Sequence, residues 1–367
     1  MKRSFIRQIL ESIDKDTISF AGGLPDEDLF PMKDLQCAAK KAFKDKKNLQ
    51  YILSNGIKPL REKTAKFYND EGFETDIDNL LITTGSQQAM YIIANYFAKK
   101  DIVVENPSYL GAINILKSNG LNMKGVPLEY DGIDIAKFKK EYKKTKLAYL
   151  IPDFQNPKSS FYSKDKRKKV ANIVKQNGGY IIEDAPYSQL YFKKGEKSIS
   201  SLIPNNSLHL GSFSKTLAPS FRLGWIRANK EIIKELTMIK ETIDLHTNGI
   251  SQYILNEYLE DESRYFDHIK VLRKEYEKKM EYFAKCLDKY LPQFIYEKPK
   301  GGMFIYGKLP NKDTKKLVYE ALENKIVYVP GGEFYIDDGG VEEIRFNYSH
   351  SSKEEIKEGL KRLAKIL

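Results

Sequence analysis

The side chains best suited to chemistry in this 367-residue chain gather in a few short stretches, each behind an apolar run. Lys215 stands in "LGSFSKTLAPSFRLGW", with Ser212 and Ser214 just before it and Arg222 just after. Asp184 ends "GYIIED" and Tyr187 closes the adjoining "APY"; Asn156 lies in "IPDFQNP", Tyr109 in "ENPSYLGA", and Gly85, Ser86 and Gln87 open "GSQQA". A lysine amine can condense with an aldehyde, and a carboxylate can keep a heterocyclic nitrogen protonated. Serine hydroxyls, an arginine fork and the free N–H groups of a helix start suit a phosphate. One cofactor asks for the whole set: pyridoxal 5'-phosphate.

In that reading Lys215 forms the Schiff base, and its amine, once released, moves a proton at the substrate Cα. Asp184 faces the pyridine nitrogen, where its charge favours the protonated, electron-withdrawing ring. Asn156 and Tyr187 donate to the phenolic oxygen, Tyr109 stacks on the ring face, and Gly85, Ser86, Gln87, Ser212, Ser214 and Arg222 surround the phosphate. Each residue alone has a plainer explanation. Ser86 can be a helix cap, Asp184 a turn residue, the tyrosines core aromatics and Arg222 half of a surface ion pair. The weight lies in their joint occurrence, in order, at successive strand ends.

Those strand ends imply an α/β fold. The runs "NLLIT" (79–83), "DIVVE" (101–105), "LAYLI" (147–151), "GYIIED" (179–184) and "SLHLGS" (207–212) read as buried strands. Amphipathic segments such as "QQAMYIIANYFAK" (87–99) and "SKDKRKKVANIVKQN" (163–177) separate them as crossover helices over a mainly parallel sheet. Past residue 230 the pattern turns to long charged helices, then to "GGMFIYGKL", "IVYVPG" and "EEIRFNYS", and to a last helix from Ser351, a second and α+β unit.

The formal charge is +11, and lysines crowd "KKAFKDKK" (40–47), "KKEYKKTK" (139–146) and "KDKRKK" (164–169). Acidic and apolar residues interleave with them at helical spacing, so they read as solvated helix faces, with no nucleic-acid motif alongside. The two cysteines, Cys37 and Cys286, lack metal-site spacing and read as buried packing residues of a reducing compartment. With no metal site, no leader pattern and no apolar run of about 18 residues, the expectation is a soluble, cytoplasmic protein without a membrane partner.

Beyond single residues, "ISFAGGLPDEDLFP", "LITTGSQQA", "FQNP", "EDAPYSQL", "GGMFIY", "IVYVPGGEFY" and "IRFNYSH" carry a resemblance over nearly the whole chain. It is to the class I/II aminotransferases of pyridoxal-phosphate fold type I, in the branch of 2-aminoadipate and kynurenine aminotransferases and of MocR-like regulators. The resemblance implies a large domain with a mainly parallel, seven-stranded-type sheet sandwiched by helices (31–245), an N-terminal arm (1–30) and a small C-terminal domain (246–367). It implies ping-pong transfer of an amino group between an L-amino acid, such as 2-aminoadipate or an aromatic one, and a 2-oxo acid. It also implies a homodimer with shared active sites, in which Tyr51 reaches the partner's phosphate. Arg345 would bind the α-carboxylate, Asn156 and Gly23 would line the substrate, with Gly22 beside them, and Arg7 would meet a distal carboxylate. A solvated helix arginine explains Arg7 equally well.

This chain departs from the family in two places. Relatives reading "FQNPTG" correspond here to "FQNPKSS", which puts Lys158 and Ser159 beside Asn156, with a charged side chain expected near the site mouth. The "LQYILSNG" loop lacks the usual glycine-proline character, which leaves the path around Tyr51 open. Elimination, decarboxylation and racemisation start from the same cofactor chemistry and stay open as alternatives. A non-catalytic sensor also stays open, although the roughly 20 residues before "ISFAGG" are too few for a DNA-binding unit.

Overall fold

A computed structural model describes residues 13–367. Strand β1 (Ile18–Ser19) lies outside a large sheet formed by β2 (Leu80–Thr83), β3 (Asp101–Asn106), β4 (Asn122–Glu129), β5 (Gly132–Ile133), β6 (Leu147–Leu150), β7 (Tyr180–Asp184), β8 (Ser207–Ser212) and β9 (Gly224–Arg227). Their spatial order is β2-β9-β8-β7-β6-β3-β4-β5. Pairs β4-β3-β6-β7-β8 are parallel, whereas β9 runs antiparallel to both β8 and β2. The two flips cancel, so β2 ends at the same sheet edge as β3, β6, β7 and β8. The fold is therefore the α/β type I architecture expected, with an eighth strand contributed by the two-residue β5, which forms a hairpin with β4.

Strands β4 and β9 are absent from the apolar runs read in the sequence. β4 carries Gly125 and Pro127 and exposes alternate residues at its far end, and β9 is hidden within the turn-prone stretch after Lys215. Both owe their state to pairing with neighbours rather than to their own composition.

The remaining strands, β10 (Ile295–Tyr296), β11 (Phe304–Lys308), β12 (Ile326–Val327), β13 (Val329–Pro330) and β14 (Glu343–Asn347), build the smaller unit. Strands β10-β11-β14-β13 form an antiparallel sheet, and β12 pairs in parallel with β1. Phe20 N–H donates to Val327 O at 2.8 Å and Asn347 N–H to Phe20 O at 2.8 Å, which delivers residues 21–23 to the large sheet's edge. The helix Glu262–Tyr290 turns Leu272, Tyr276, Met280, Phe283 and Leu287 inward at helical spacing. These join Phe20, Leu81, Ile182, Leu210 and Phe346 in one continuous core. The helix Gly249–Tyr258 instead packs Leu255 and Tyr258 with Leu35, Leu60, Ile82 and Phe213. Cys286 is buried, but Cys37 is exposed, contrary to its reading as a packing residue; it sits between buried Leu35 and Ala38 on a helix whose other face meets water. Among the described residues no helix is long and apolar enough to cross a membrane.

Candidate active site

Sheet register assembles the site. Ser212 of β8 pairs with Gly224 of β9, and Gly224 pairs with Thr83 of β2, so the segments holding Lys215, Arg222 and Gly85 start side by side. Gly224 permits this approach, because a Cβ there would lie 2.8 Å from Gly211 O. Gly85 has φ +75°, and its Cβ would lie 2.8 Å from Arg222 Nη2. Arg222, itself at φ +51°, reaches Ser214 Oγ at 3.4 Å and Thr84 O at 3.5 Å. Ser212 Oγ accepts from Ser214 N–H at 3.1 Å. The result is a cationic, hydroxyl-rich cradle at the start of the helix Gly85–Tyr96, with Ser86 and Gln87 at the cavity wall.

This cradle opens into a cavity of about 670 Å³ that also takes in Lys215, Asp184, Tyr187, Tyr109, Asn156 and Arg345. Lys215 Nζ donates to Gly23 O at 2.7 Å. Burial, followed by the nearby positive charges of Arg222 and Arg345, lowers its pKa to about 8, so it holds a usable fraction of free amine near neutrality. Asp184 is 3% exposed; its Oδ2 accepts from Tyr149 O–H at 2.8 Å, while its buried Oδ1 has no partner among the described residues. Burial raises its pKa to about 6 against the opposing Tyr149 bond. An orphaned carboxylate oxygen of this kind fits a cationic N–H donor, and a pyridinium supplies one.

On the far side, Arg345 Nη1 donates to Asn156 Oδ1 at 2.8 Å, its Nη2 bonds Ala21 O, and its buried Nε has no partner among the described residues. Its guanidinium lies 4.3 Å from the Phe304 ring centroid and 5.0 Å from that of Phe334. Burial lowers its pKa to about 10, leaving it charged. Asn156 Nδ2 donates to Tyr187 O–H at 3.3 Å, so the Tyr187 proton is free for another acceptor, and burial pushes the Tyr187 pKa well up. Gly111 makes room for Tyr109, since a Cβ there would lie 2.5 Å from its ring.

Of the residues read from sequence, Tyr51 does not enter this cavity: it is 77% exposed and meets His246 edge-on at 5.8 Å. Arg7 lies outside the described residues. Lys158 does not stand at the mouth as expected; its Nζ turns back to Leu128 O at 2.5 Å, and Ser159 takes the left-handed turn at φ +54° with its Oγ on Phe304 O at 2.7 Å. Tyr149 is not among the residues read from sequence, although a lone hydroxyl within the apolar "LAYLI" is a signal for it. Asn114 and Ser118, which also line the cavity, carry no such signal. Among the described residues no group of His, Cys, Asp and Glu could hold a metal ion.

A reactive lysine, an orphaned carboxylate and an anion cradle on one α/β edge define an enzyme that works through an aldehyde cofactor bearing a phosphate. The sequence pattern described as "Aminotransferase class I and II" matches residues 15–363, and the chain belongs to that family. It is 34% identical to aromatic-amino-acid aminotransferase 1 of Thermococcus litoralis, over 100% of this chain and 92% of that one. The α-aminoadipate aminotransferase of Thermus thermophilus, solved with N-(5'-phosphopyridoxyl)-L-leucine, superposes with a TM-score of 0.92 at 33% identity, covering 100% of this chain and 95% of that chain. The kynurenine aminotransferase of Pyrococcus horikoshii does so with a TM-score of 0.93 at 32% identity, covering 100% and 94%. The protein is a pyridoxal-phosphate-dependent aminotransferase acting on amino and oxo acids.

Proposed function

We propose that this enzyme moves the amino group of an L-amino acid with an uncharged or aromatic side chain to a 2-oxo acid in two half-reactions. Bound in the cavity, pyridoxal phosphate supplies an aldehyde that carries the amino group and a ring that accepts the electron pair left at the substrate Cα. Lys215 would bind the aldehyde and, as a free amine, would move the proton at the substrate Cα. Asp184 Oδ1 would hold the ring N–H, Tyr187 would donate to the phenolic oxygen, and Tyr109 would line the ring's site. Ser86, Gln87, Ser212, Ser214 and Arg222 would hold the phosphate beside Gly85. Arg345, steadied by Asn156, grips the α-carboxylate through two parallel hydrogen bonds, and Gly22 and Gly23 close over the substrate.

The donor class follows from the rest of the wall. Among the described residues, the cations lining the cavity are Lys215, Arg222 and Arg345, all of which are committed; Leu24, Leu110, Asn114 and Ile115 remain for the side chain. Exposed Leu49, Tyr51, Leu53 and Leu245 support a homodimer in which Tyr51 serves the partner's site. We place the enzyme in the cytoplasm, as its free cysteines suit.

The observation that carries this reading is the unpaired Asp184 Oδ1 in the same cavity as Lys215. The test follows the visible absorption of the holoenzyme while single amino acids are added without any oxo acid, with Lys215→Ala as the blank. Loss of the visible band, fastest with aromatic or aliphatic donors, supports the proposal. A band that no amino acid bleaches sinks transamination in favour of another reaction or of sensing. Fastest bleaching by 2-aminoadipate overturns the donor class.

A further inference from the structure

Behind the phosphate cradle runs a chain of polar groups that the reaction does not itself use. Thr84 N–H, at the start of the helix Gly85–Tyr96, donates to Gln88 Oε1 at 2.7 Å. A glutamine amide can face either way, and here Gln88 Nε2 donates to Asp244 Oδ2 at 2.7 Å. An ionised carboxylate only accepts, so Asp244 obliges the amide to turn its oxygen toward Thr84. The other oxygen, Asp244 Oδ1, is bonded by the ammonium of Lys240, one turn earlier on the helix Lys230–Glu241, whose side chain is 0% exposed. Thr84 Oγ1 lies 3.4 Å from both Asp244 Oδ2 and Thr247 Oγ1. Arg222 reaches the carbonyl of the same residue from the cavity side. Thr84 is thus held from both faces, and the left-handed Gly85 follows it directly.

We propose that Asp244 is a positioning residue for the cofactor phosphate: through Gln88 it fixes the Thr84–Gly85 turn, so that the free N–H groups of the helix start and the Arg222 fork converge on one anion. The inference rests on reading that turn as the phosphate site. It assigns a purpose to a lysine whose burial would otherwise cost stability, because taking an ammonium out of water is repaid only in part by its half-buried carboxylate partner.

The test compares pyridoxal 5'-phosphate with pyridoxal, the same aldehyde without the phosphate, as each is titrated into the apo protein and followed by its visible absorption on Lys215. The wild type is expected to prefer the phosphate ester. Asp244→Ala is expected to lower affinity for the ester about ten-fold, the usual size for losing a partner one layer behind a ligand-holding group, with pyridoxal affinity unchanged. The Lys240→Met/Asp244→Leu double variant leaves no unpaired buried charge to unfold the chain, and it is expected to show the same selective loss. Equal loss for both aldehydes in the double variant, or loss for neither, overturns the proposal. A wild type indifferent to the phosphate overturns the reading of the cradle as well, which separates the two failures.

Discussion

Glu183 and Asp184 are consecutive on β7, and the two faces of the sheet treat their carboxylates in opposite ways. Glu183 points away from the cavity, where Oε1 accepts from Ile199 N–H at 3.0 Å and Oε2 from Ser200 N–H at 2.6 Å and Ser200 O–H at 2.5 Å. Glu105, on β3, is equally satisfied, by Ile151 N–H at 3.1 Å, Tyr162 O–H at 2.7 Å and Gln155 Nε2 at 3.0 Å. On the cavity side, among the described residues, Asp184 Oδ1 and Arg345 Nε are buried without partners. Lys215 donates to a carbonyl there and has two cations nearby. A buried polar atom normally finds a partner, because leaving it bare costs about 1–3 kcal/mol. Of the buried carboxylates Glu105, Glu183 and Asp184, Asp184 alone keeps a bare oxygen among the described residues, which marks where a charged ligand completes the network, while the paired two serve the frame.

That contrast can be broken by exchanging the effects. Asp184→Asn is expected to lower turnover about 10²–10³-fold, the range seen when one preorganised electrostatic partner is lost, with little change in apo-protein unfolding. Glu183→Ala, one residue away, should do the reverse: stability falls by about 2 kcal/mol as Ile199 and Ser200 lose their acceptor, while the visible spectrum of the bound cofactor stays unchanged. Unfolding and turnover assays on both variants decide, and a large turnover loss in Glu183→Ala with an intact fold would erase the distinction.

The pH dependence of aldehyde capture sharpens the cavity side. Only the neutral amine reacts, and the Lys215 pKa is lowered from its ordinary 10.5 to about 8. Capture by the apo protein should therefore rise with pH up to about 8 and level off above it; a plateau reached only near about 10.4 would mean the lysine is solvated. The smallest effect is at Ser159→Gly, away from the reacting atoms. Glycine relieves about 1 kcal/mol at the left-handed φ but forfeits the bond to Phe304 O, so stability should stay within about 1 kcal/mol of wild type by denaturant titration.

Much of the site could be read along the chain because parallel strands are short apolar runs, and the residues just past the end of each run lie at one sheet edge. Lys215, Asp184, Asn156, Tyr109 and Ser86 are legible in that way. Tyr149 is not, because its hydroxyl matters only once β6 lies beside β7, with Tyr149 registered against Ile182 and thus on the face of Asp184. Lys158 departs from its expected place because a carbonyl of β4, a strand that sequence pattern did not reveal, captures its ammonium.

The order of chemistry-bearing residues, their types and the apolar runs ahead of them belong to the linear chain, since local pattern and turn chemistry are enough to write them. Which of those residues meet, which oxygen stays bare and which arginine falls behind which glycine depend on register between segments far apart in sequence. Ser212, Gly224 and Thr83 become neighbours only through β9, and Asp244 comes to stand behind Thr84 only because the helix Lys230–Glu241 ends there. Hydrogen bonds and burial act over a few ångströms of space, whatever the separation along the chain, so electrostatic fit appears only after the strands have paired.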